Sequence, residues 1–394
     1  MKKELKPHIR FKGFTDAWEQ RKVNEIADRY DNLRVPVTSS QRVEGATPYY
    51  GANGIQDYVD GYTHDGEFVL VAEDGANDLK NYPVQYVNGR IWVNNHAHVL
   101  QSNQNNDTKF LKYLIGSKNI ENLLVGGGRA KLNAEVLMKI DLTLPKKQEQ
   151  IKISSLFDSL DSLFTLHQRK CEKLSNVKKA LLEKMFPSED EYTPKIRFKG
   201  FTDAWEQRKL GDIGKTFTGL SGKTADDFGH GEAKFLPYLN IFNNPIADIS
   251  FLESIEIDKS QNQIQYGDVF FTTSSETPEE VGMSSVWLGK SANIYLNSFC
   301  FGFRPTIEFN HYYFGYLLRS DTFRKPITIL AQGISRFNIS KTKVMEIEIS
   351  LPSKDEQSKI GELFNNLDHL ITLHQRKCEK LKNIKRALLE KMFC

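Results

Sequence analysis

The sequence contains no run of about 18 apolar residues, the length that a membrane-spanning helix needs, so no membrane insertion is expected. Residues 1–10 are charged and lack an apolar core, so no secretory leader is expected either. Cysteine is scarce. The four are Cys171, Cys300, Cys378 and Cys394, and none forms a close pair, which argues for reduced thiols in a cytoplasm rather than a disulfide framework. An excess of one charge is missing as well. With 53 Lys and Arg against 50 Asp and Glu, a net charge of +3 does not announce nucleic-acid binding. Any DNA affinity must come from local arrangement or from partners that add positive surface.

Catalytic signatures are also missing. Gly219-Leu220-Ser221-Gly222-Lys223-Thr224 has two residues between its glycines where a phosphate-binding loop needs four. It reads better as a basic loop able to touch DNA phosphates. No glycine-rich turn for a dinucleotide or methyl-donor cofactor appears, and Asn243-Asn244-Pro245-Ile246 is a poor echo of the adenine-methyltransferase loop. Glu73-Asp74 precedes Gly75 and reads as a solvated turn rather than a carboxylate pair. The hydroxyl-rich run Thr272–Thr277 has no evident base to activate a nucleophile. His96 and His98 lack further metal ligands nearby, so no metal site is expected. The run Asn94–His98 suits either base-edge hydrogen bonding or an ordinary turn.

What is present is repetition. Ile9–Lys22, IRFKGFTDAWEQRK, returns at Ile196–Lys209, an offset of 187. Two long segments, Gln148–Phe186 and Glu356–Phe393, carry apolar residues at alternating steps of three and four. In the first these include Ile153, Leu156, Leu160, Leu163, Leu174, Val177 and Leu181. In the second they are Ile360, Leu363, Leu367, Leu370, Leu381, Ile384 and Leu388. Apart from Gly361 neither segment contains Gly or Pro, and each helix would be roughly 60 Å long. Such a seam needs a long partner, and the other copy is the economical one. The run Thr165–Leu174 recurs unchanged as Thr372–Leu381, an offset of 207. Identity away from the seam points to recent duplication or to two equivalent docking faces.

The expected boundaries are a head at 1–22, a first recognition domain at 23–144 and a spacer helix at 145–186. Then come a linker with the repeated head at 187–209, a second domain at 210–351 and a second helix at 352–394. Within the first middle, strands are expected at 66–72 and 140–144, a hairpin around Asn88-Gly89, and a short helix at 108–115. The second middle follows a similar plan, with strands at 268–271, 285–288, 299–303 and 345–351 and a helix at 312–319. Heads and helices match while the middles diverge, which suits doing one thing twice and reading two different things.

The duplicated plan, the IRFKGFTDAWEQRK heads and the LPKKQEQIKI…LHQRKCEKL…KKALLEKMF helices resemble the specificity subunits of type I restriction–modification systems. The resemblance covers essentially the whole chain. It implies an α+β fold with a pseudo-twofold internal repeat. Two α/β target-recognition domains would be separated by two long antiparallel coiled-coil helices. It also implies that the chain is not catalytic. It would read a bipartite, asymmetric site in double-stranded DNA, with the helices as a ruler for the gap. Two methyltransferase subunits would dock on the matching regions, and two restriction/translocase subunits would join the full complex. The chain itself would need no cofactor. S-adenosylmethionine, ATP and Mg would sit on the partner subunits.

Candidate DNA contacts are Tyr50, Asn53, Lys80, Asn94, His96, Arg129 and Lys131 in the first domain. In the second they are Lys223, Thr224, His230, Asn240, Thr273, Ser275, Arg336 and Asn338. Candidate docking residues are Trp18, Arg21, Trp205 and Arg208, with Arg169, Lys173, Arg376 and Lys380; the tryptophans suit core packing equally well. A self-sufficient DNA methyltransferase or endonuclease is the enzyme alternative. A coiled-coil scaffold without DNA readout is the third reading.

Overall fold

The structure, a computed structural model, describes residues 6–126, 130–188 and 191–393. The first half of the chain runs β1 (Glu19–Lys22), α1 (Val23–Ile26), β2 (Ala27–Arg29), β3 (Glu44–Gly51), β4 (Gly54–Val59), β5 (His64–Ala72), β6 (Val84–Val93) and β7 (Ala97–Ser102). It continues with α2 (Thr108–Gly116), α3 (Ala134–Met138), β8 (Asp141–Leu144) and α4 (Lys147–Lys184). The second half runs β9 (Glu206–Lys209), β10 (Gly214–Thr218), β11 (Phe228–Leu236), α5 (Tyr238–Asn243), β12 (Glu253–Ile255), β13 (Val269–Thr272), β14 (Ser274–Ser275) and β15 (Ser284–Val286). It ends with β16 (Ile294–Leu296), β17 (Cys300–Pro305), α6 (His311–Leu317), α7 (Asp321–Leu330), β18 (Phe337–Asn338), α8 (Lys341–Met345), β19 (Glu348–Leu351) and α9 (Lys354–Met392). The chain forms two compact units, Met1–Gln168 with Arg376–Cys394, and Arg169–Gln375. Each long helix therefore contributes to both.

In the first unit six strands form one sheet in the order β2-β7-β5-β6-β3-β4. The β3–β6 pair is parallel and the other neighbours are antiparallel. Strand β5 reads Phe-Val-Leu-Val-Ala at its buried end because both of its faces are covered. Val69 and Val71 pack with Phe110 and Leu114 of α2, while Phe68 and Leu70 pack with Val87, Ile91 and Val99. Alternate residues of a strand point to opposite faces, so a two-sided core needs an unbroken apolar run.

The hairpin expected at Asn88-Gly89 is not there. β6 continues through both residues, and β5 pairs along it from His64–Ile91 to Val71–Val84. Gly89 does have a positive φ, +99°, and it sits opposite Gly66 at φ +141°. The two glycines absorb a local distortion in a long ladder rather than reversing the chain. A nine-residue partner strand outweighs the turn preference of the dipeptide.

The second unit repeats the plan with shorter strands. Its main sheet has the order β10-β17-β13-β15, beside a three-stranded sheet β12-β11-β16. β13 is again buried throughout, with Val269 and Phe271 in one cluster and Phe270 in another.

The repeated heads close each unit. β1 pairs with β8, and β9 pairs with β19, both antiparallel. In the first unit the amide of Ile9 donates to the carbonyl of Lys391 at 2.9 Å, and Arg10 forks onto Glu149 with two 2.7 Å bonds. In the second the amide of Ile196 donates to the carbonyl of Lys184 at 2.9 Å, and Arg197 forks onto Glu356 at 2.7 and 2.8 Å. Both glutamates lie in the first turn of a long helix, where the macrodipole favours a negative charge.

Each long helix starts on chemistry visible in the sequence. Gln150 Nε2 donates back to the carbonyl of Pro145 and Gln357 Nε2 to that of Pro352. Pro187 follows the end of α4, which it cannot continue. Within the first unit α4 and the end of α9 run antiparallel, with Phe157 against Phe393 and Lys385 Nζ on Asp161. Within the second, Phe186 stacks on Phe364 and Lys178 Nζ donates to Asp368. The same aspartates accept from Tyr113 and Tyr316.

The seam is sealed only in part. Leu156, Leu160 and Leu388 pack on the first core, and Leu174, Leu181 and Leu363 on the second. Leu163, Val177, Leu370 and Ile384 of the seam remain more than a third exposed, as do Leu166 and Leu373 beside it. They form three pairs at the offset of 207. The partner helix therefore covers less of the apolar stripe than the spacing implies.

Candidate nucleic-acid interface

In the first unit, one end of the sheet's strands gathers most of the candidate residues. Asn53, in the β3–β4 turn, donates from Nδ2 to the carbonyl of Gly75 and accepts at Oδ1 from the amide of Asn77. His96, in the β6–β7 turn, meets Asp74 through Nδ1 at 2.6 Å, and its carbonyl accepts from Glu73. Lys131 pairs with Glu73 at 2.8 Å, which holds the ammonium above its ordinary pKa. Burial pushes the Glu73 carboxyl up, but Lys131 and Arg34 outweigh it and leave the group below the usual carboxylate range. Tyr50 is half-buried on β3, and that burial raises its phenol. Lys80 is exposed on the loop at this end. Asn94 is 4% exposed; its Oδ1 accepts from the His96 amide and its Nδ2 reaches Gln56, so it shapes the turn rather than offering an amide to a ligand. Arg129 lies outside the described residues.

Asp31, Glu73 and His98 lie close enough to one another to suggest metal ligands. Arg34 donates to Glu73 and lies 3.6 Å from Asp31, and Lys131 takes the other Glu73 oxygen. His98 is held between Asp31 and the carbonyl of Leu132. The trio is an ion network whose carboxylates are already neutralised.

In the second unit Thr273, Ser275, Arg336 and Asn338 come together. β14 and β18 form a short antiparallel ladder, Ser274–Asn338 and Ser275–Phe337. Thr273 Oγ1 donates to the carbonyl of Phe299, and Ser275 Oγ to Glu280, which leaves Ser275 buried. Arg336 and Asn338 are exposed. Lys223 and Thr224 sit elsewhere, in the loop before β11. The Lys223 ammonium is already paired with Asp258 at 2.9 Å and holds that carboxyl far below its usual range. Thr224 is spent on Asp227, and the exposed His230 faces Glu256 at 3.3 Å.

Asn240 is withdrawn as a DNA contact. It is 0% exposed, donates from Nδ2 to the carbonyls of Asp248 and Phe251, and accepts at Oδ1 from the Asp248 amide. Its role is to tie α5 to the following loop. Asn240→Ala is expected to destabilise the protein by about 1–3 kcal/mol, because buried carbonyls lose their donors. Thermal unfolding measures this, and an unchanged melting temperature would refute the assignment.

The docking candidates divide in the same way. Trp18 and Trp205 are 3% and 2% exposed, edge-on to Phe393 and Phe186 respectively, so both are core residues. Arg21 and Arg208 are exposed beside Glu19 and Glu206. Arg169, Lys173, Arg376 and Lys380 are all exposed on the long helices. The buried Arg–Glu forks and the Tyr–Asp–Lys groups were missed as sites. Their one sequence signal was recurrence in both halves.

Among the described residues no helix is long and apolar enough to cross a membrane. The family model for the type I restriction modification DNA specificity domain matches residues 15–176 and again 202–383. The chain is 28% identical to a putative type I restriction enzyme specificity subunit, S.HindORF215P, of Haemophilus influenzae, over 89% of this chain and 88% of that one. It is 23% identical to the MjaVIII specificity subunit of Methanocaldococcus jannaschii, over 73% and 70%. The S subunit structure from M. genitalium superposes with a TM-score of 0.64 at 15% identity, covering 99% of both chains. Two matched copies, the repeated domains and the two long helices together place this chain in the type I restriction–modification DNA specificity family, whose role is specificity rather than catalysis.

Proposed function

We propose that each unit reads one part of a bipartite, asymmetric site in double-stranded DNA while the long helices dock two adenine methyltransferase subunits. The observation that carries this reading is the contrast between frame and filling. Heads and forks recur residue for residue, and so does the Thr165–Leu174 stretch of the first long helix, as Thr372–Leu381 of the second. The strand ends that gather Asn53, His96 and Lys131 in one unit hold Thr273, Arg336 and Asn338 in the other. Phosphate contacts would set register and base contacts would choose sequence. S-adenosylmethionine, and in a full restriction complex ATP and Mg, would be held by partner subunits. Methylation mapping of a host genome carrying this chain should return one motif with two specific parts and a nonspecific gap. A single uninterrupted motif would overturn the reading.

The helices are also proposed to set the gap. Four residues inserted after Gln168, with four matching residues after Gln375, add about 6 Å of helix. The modified motif should then gain up to about two base pairs of gap, at 3.4 Å each. An unchanged gap in the methylation map would refute the ruler while leaving the bipartite reading intact.

A further inference from the structure

Residues 332–338 form a short hairpin closed by two backbone bonds. The amide of Gln332 donates to the carbonyl of Asn338 at 2.9 Å, and the amide of Asn338 returns to Gln332 at 2.8 Å. The amide of Ile339 anchors the hairpin to Thr273 at the end of buried β13, and β18 ladders onto β14. The base of the hairpin is pinned by these bonds, but its tip is not covered. Ile334 is 97% exposed, and Ser335 and Arg336 are exposed beside it. Such an isoleucine stabilises nothing in this chain.

The stretch of chain that carries the hairpin is basic, although Glu276 and Glu280 line the same cleft as Ser335 and Arg336. From Thr322 to Met345 the sequence holds Arg324, Lys325, Arg336, Lys341 and Lys343 and no Asp or Glu. That is five positive charges in a chain whose net is +3. Arg324 is occupied internally, donating to the carbonyls of Gly282, Glu279 and Val281. Lys341 and Lys343 are exposed at the start of α8, directly after the hairpin.

The repeat separates constant from variable positions. In the first unit Val125 and Lys131 exchange the same two backbone bonds, at an offset of 207 from Gln332 and Asn338. At that offset the sequence aligns Gly126-Gly127-Gly128-Arg129-Ala130-Lys131 with Gly333-Ile334-Ser335-Arg336-Phe337-Asn338. The first glycine and the arginine are kept while the other positions change. Gly333 has φ +150°, and a Cβ there would fall 2.0 Å from the carbonyl oxygen of Arg336, so the turn itself requires glycine.

We infer that the Gln332–Asn338 hairpin enters a groove of double-stranded DNA, with Arg336 held on a phosphate and Ile334 and Asn338 against base edges. This rests on the bipartite reading above and assigns its contacts in the second unit. The retained arginine makes the sequence-independent contact. The changed residues carry the choice of sequence. The apolar Ile334 side chain fits a thymine methyl, and the Asn338 amide fits adenine, so the part of the site read here contains A·T pairs.

The test uses the full chain assembled with its methyltransferase subunits, in DNA binding and methylation mapping. Arg336→Gln should keep the motif, weaken cognate and unrelated DNA alike, and flatten the slope of log affinity against log salt by about one. Ile334→Ser should weaken the cognate site by about tenfold and relax one position in one part of the motif, leaving the other part unchanged. A wild-type bipartite motif with neither variant altering it or the salt slope overturns the hairpin assignment alone. Loss of methyltransferase subunits from either variant complex would make the tip a protein-docking element and overturn it too. A wild-type complex without a bipartite motif sinks the underlying reading instead.

Discussion

Arg197→Ala should destabilise the second unit by about 3–5 kcal/mol, far more than loss of a surface ion pair. Glu356 is 1% exposed, and both of its oxygens accept from the Arg197 fork at 2.7 and 2.8 Å. Removing the guanidinium leaves a carboxylate with little access to water and no partner of opposite sign. Arg10→Ala should do the same to the first unit, because Arg10 and Glu149 have the same exposures, 14% and 1%. Replacing both partners, Arg197→Met with Glu356→Leu, should recover most of the loss, since no charge is then stranded. Urea unfolding of the three variants decides the matter. A loss of under about 1 kcal/mol for either single substitution would show that the fork behaves like an exposed pair.

The forks lie at the boundary between what is local in this chain, and legible in its sequence, and what is not. The helices, their proline-flanked starts, the closing strands and the short helices α2 and α6 are local features, and periodicity and punctuation find them. The pairing of each head with a strand more than 100 residues later, Glu19 with Leu144 and Glu206 with Leu351, has no local signal. Recurrence of the heads marked them as important, and docking was the purpose assigned. The structure gives them a prior one, which is to cap the end of one long helix and bind the start of the other within each unit. Asn88-Gly89 misled because turn propensity is a local preference and the β5 ladder a nonlocal demand. Asn240 misled because asparagine has the same donors whether it faces a base or a buried carbonyl. The loop Gly333–Arg336 is legible as the counterpart of Gly126–Arg129, but Ile334 is not among the candidate contacts because exposure cannot be read from one apolar residue in a loop.

The largest functional effect is expected on the long helices rather than in the recognition units. Leu166 and Leu373 occupy the same position in the two copies of the identical stretch, and they are 46% and 38% exposed. Each leucine is already more than half covered within the chain. Burying the remainder against a partner would be worth roughly 0.6–1.4 kcal/mol. Leu163 with Leu370, and Val177 with Ile384, repeat the arrangement, and Arg169, Lys173, Arg376 and Lys380 add exposed positive charge on the same helices. An apolar stripe edged by charged residues suits a protein surface better than solvent. Leu166→Glu with Leu373→Glu should therefore leave the unfolding midpoint nearly unchanged, because neither side chain belongs to a core cluster. Co-purification of methyltransferase subunits should fall at least tenfold, and cellular methylation of the motif with it. Either substitution alone should remove one docking face and leave the other, giving complexes with a single methyltransferase subunit by native mass measurement. A double variant that still assembles two such subunits would show that the repeated helix faces are not where they bind, and duplication alone would then account for their identity.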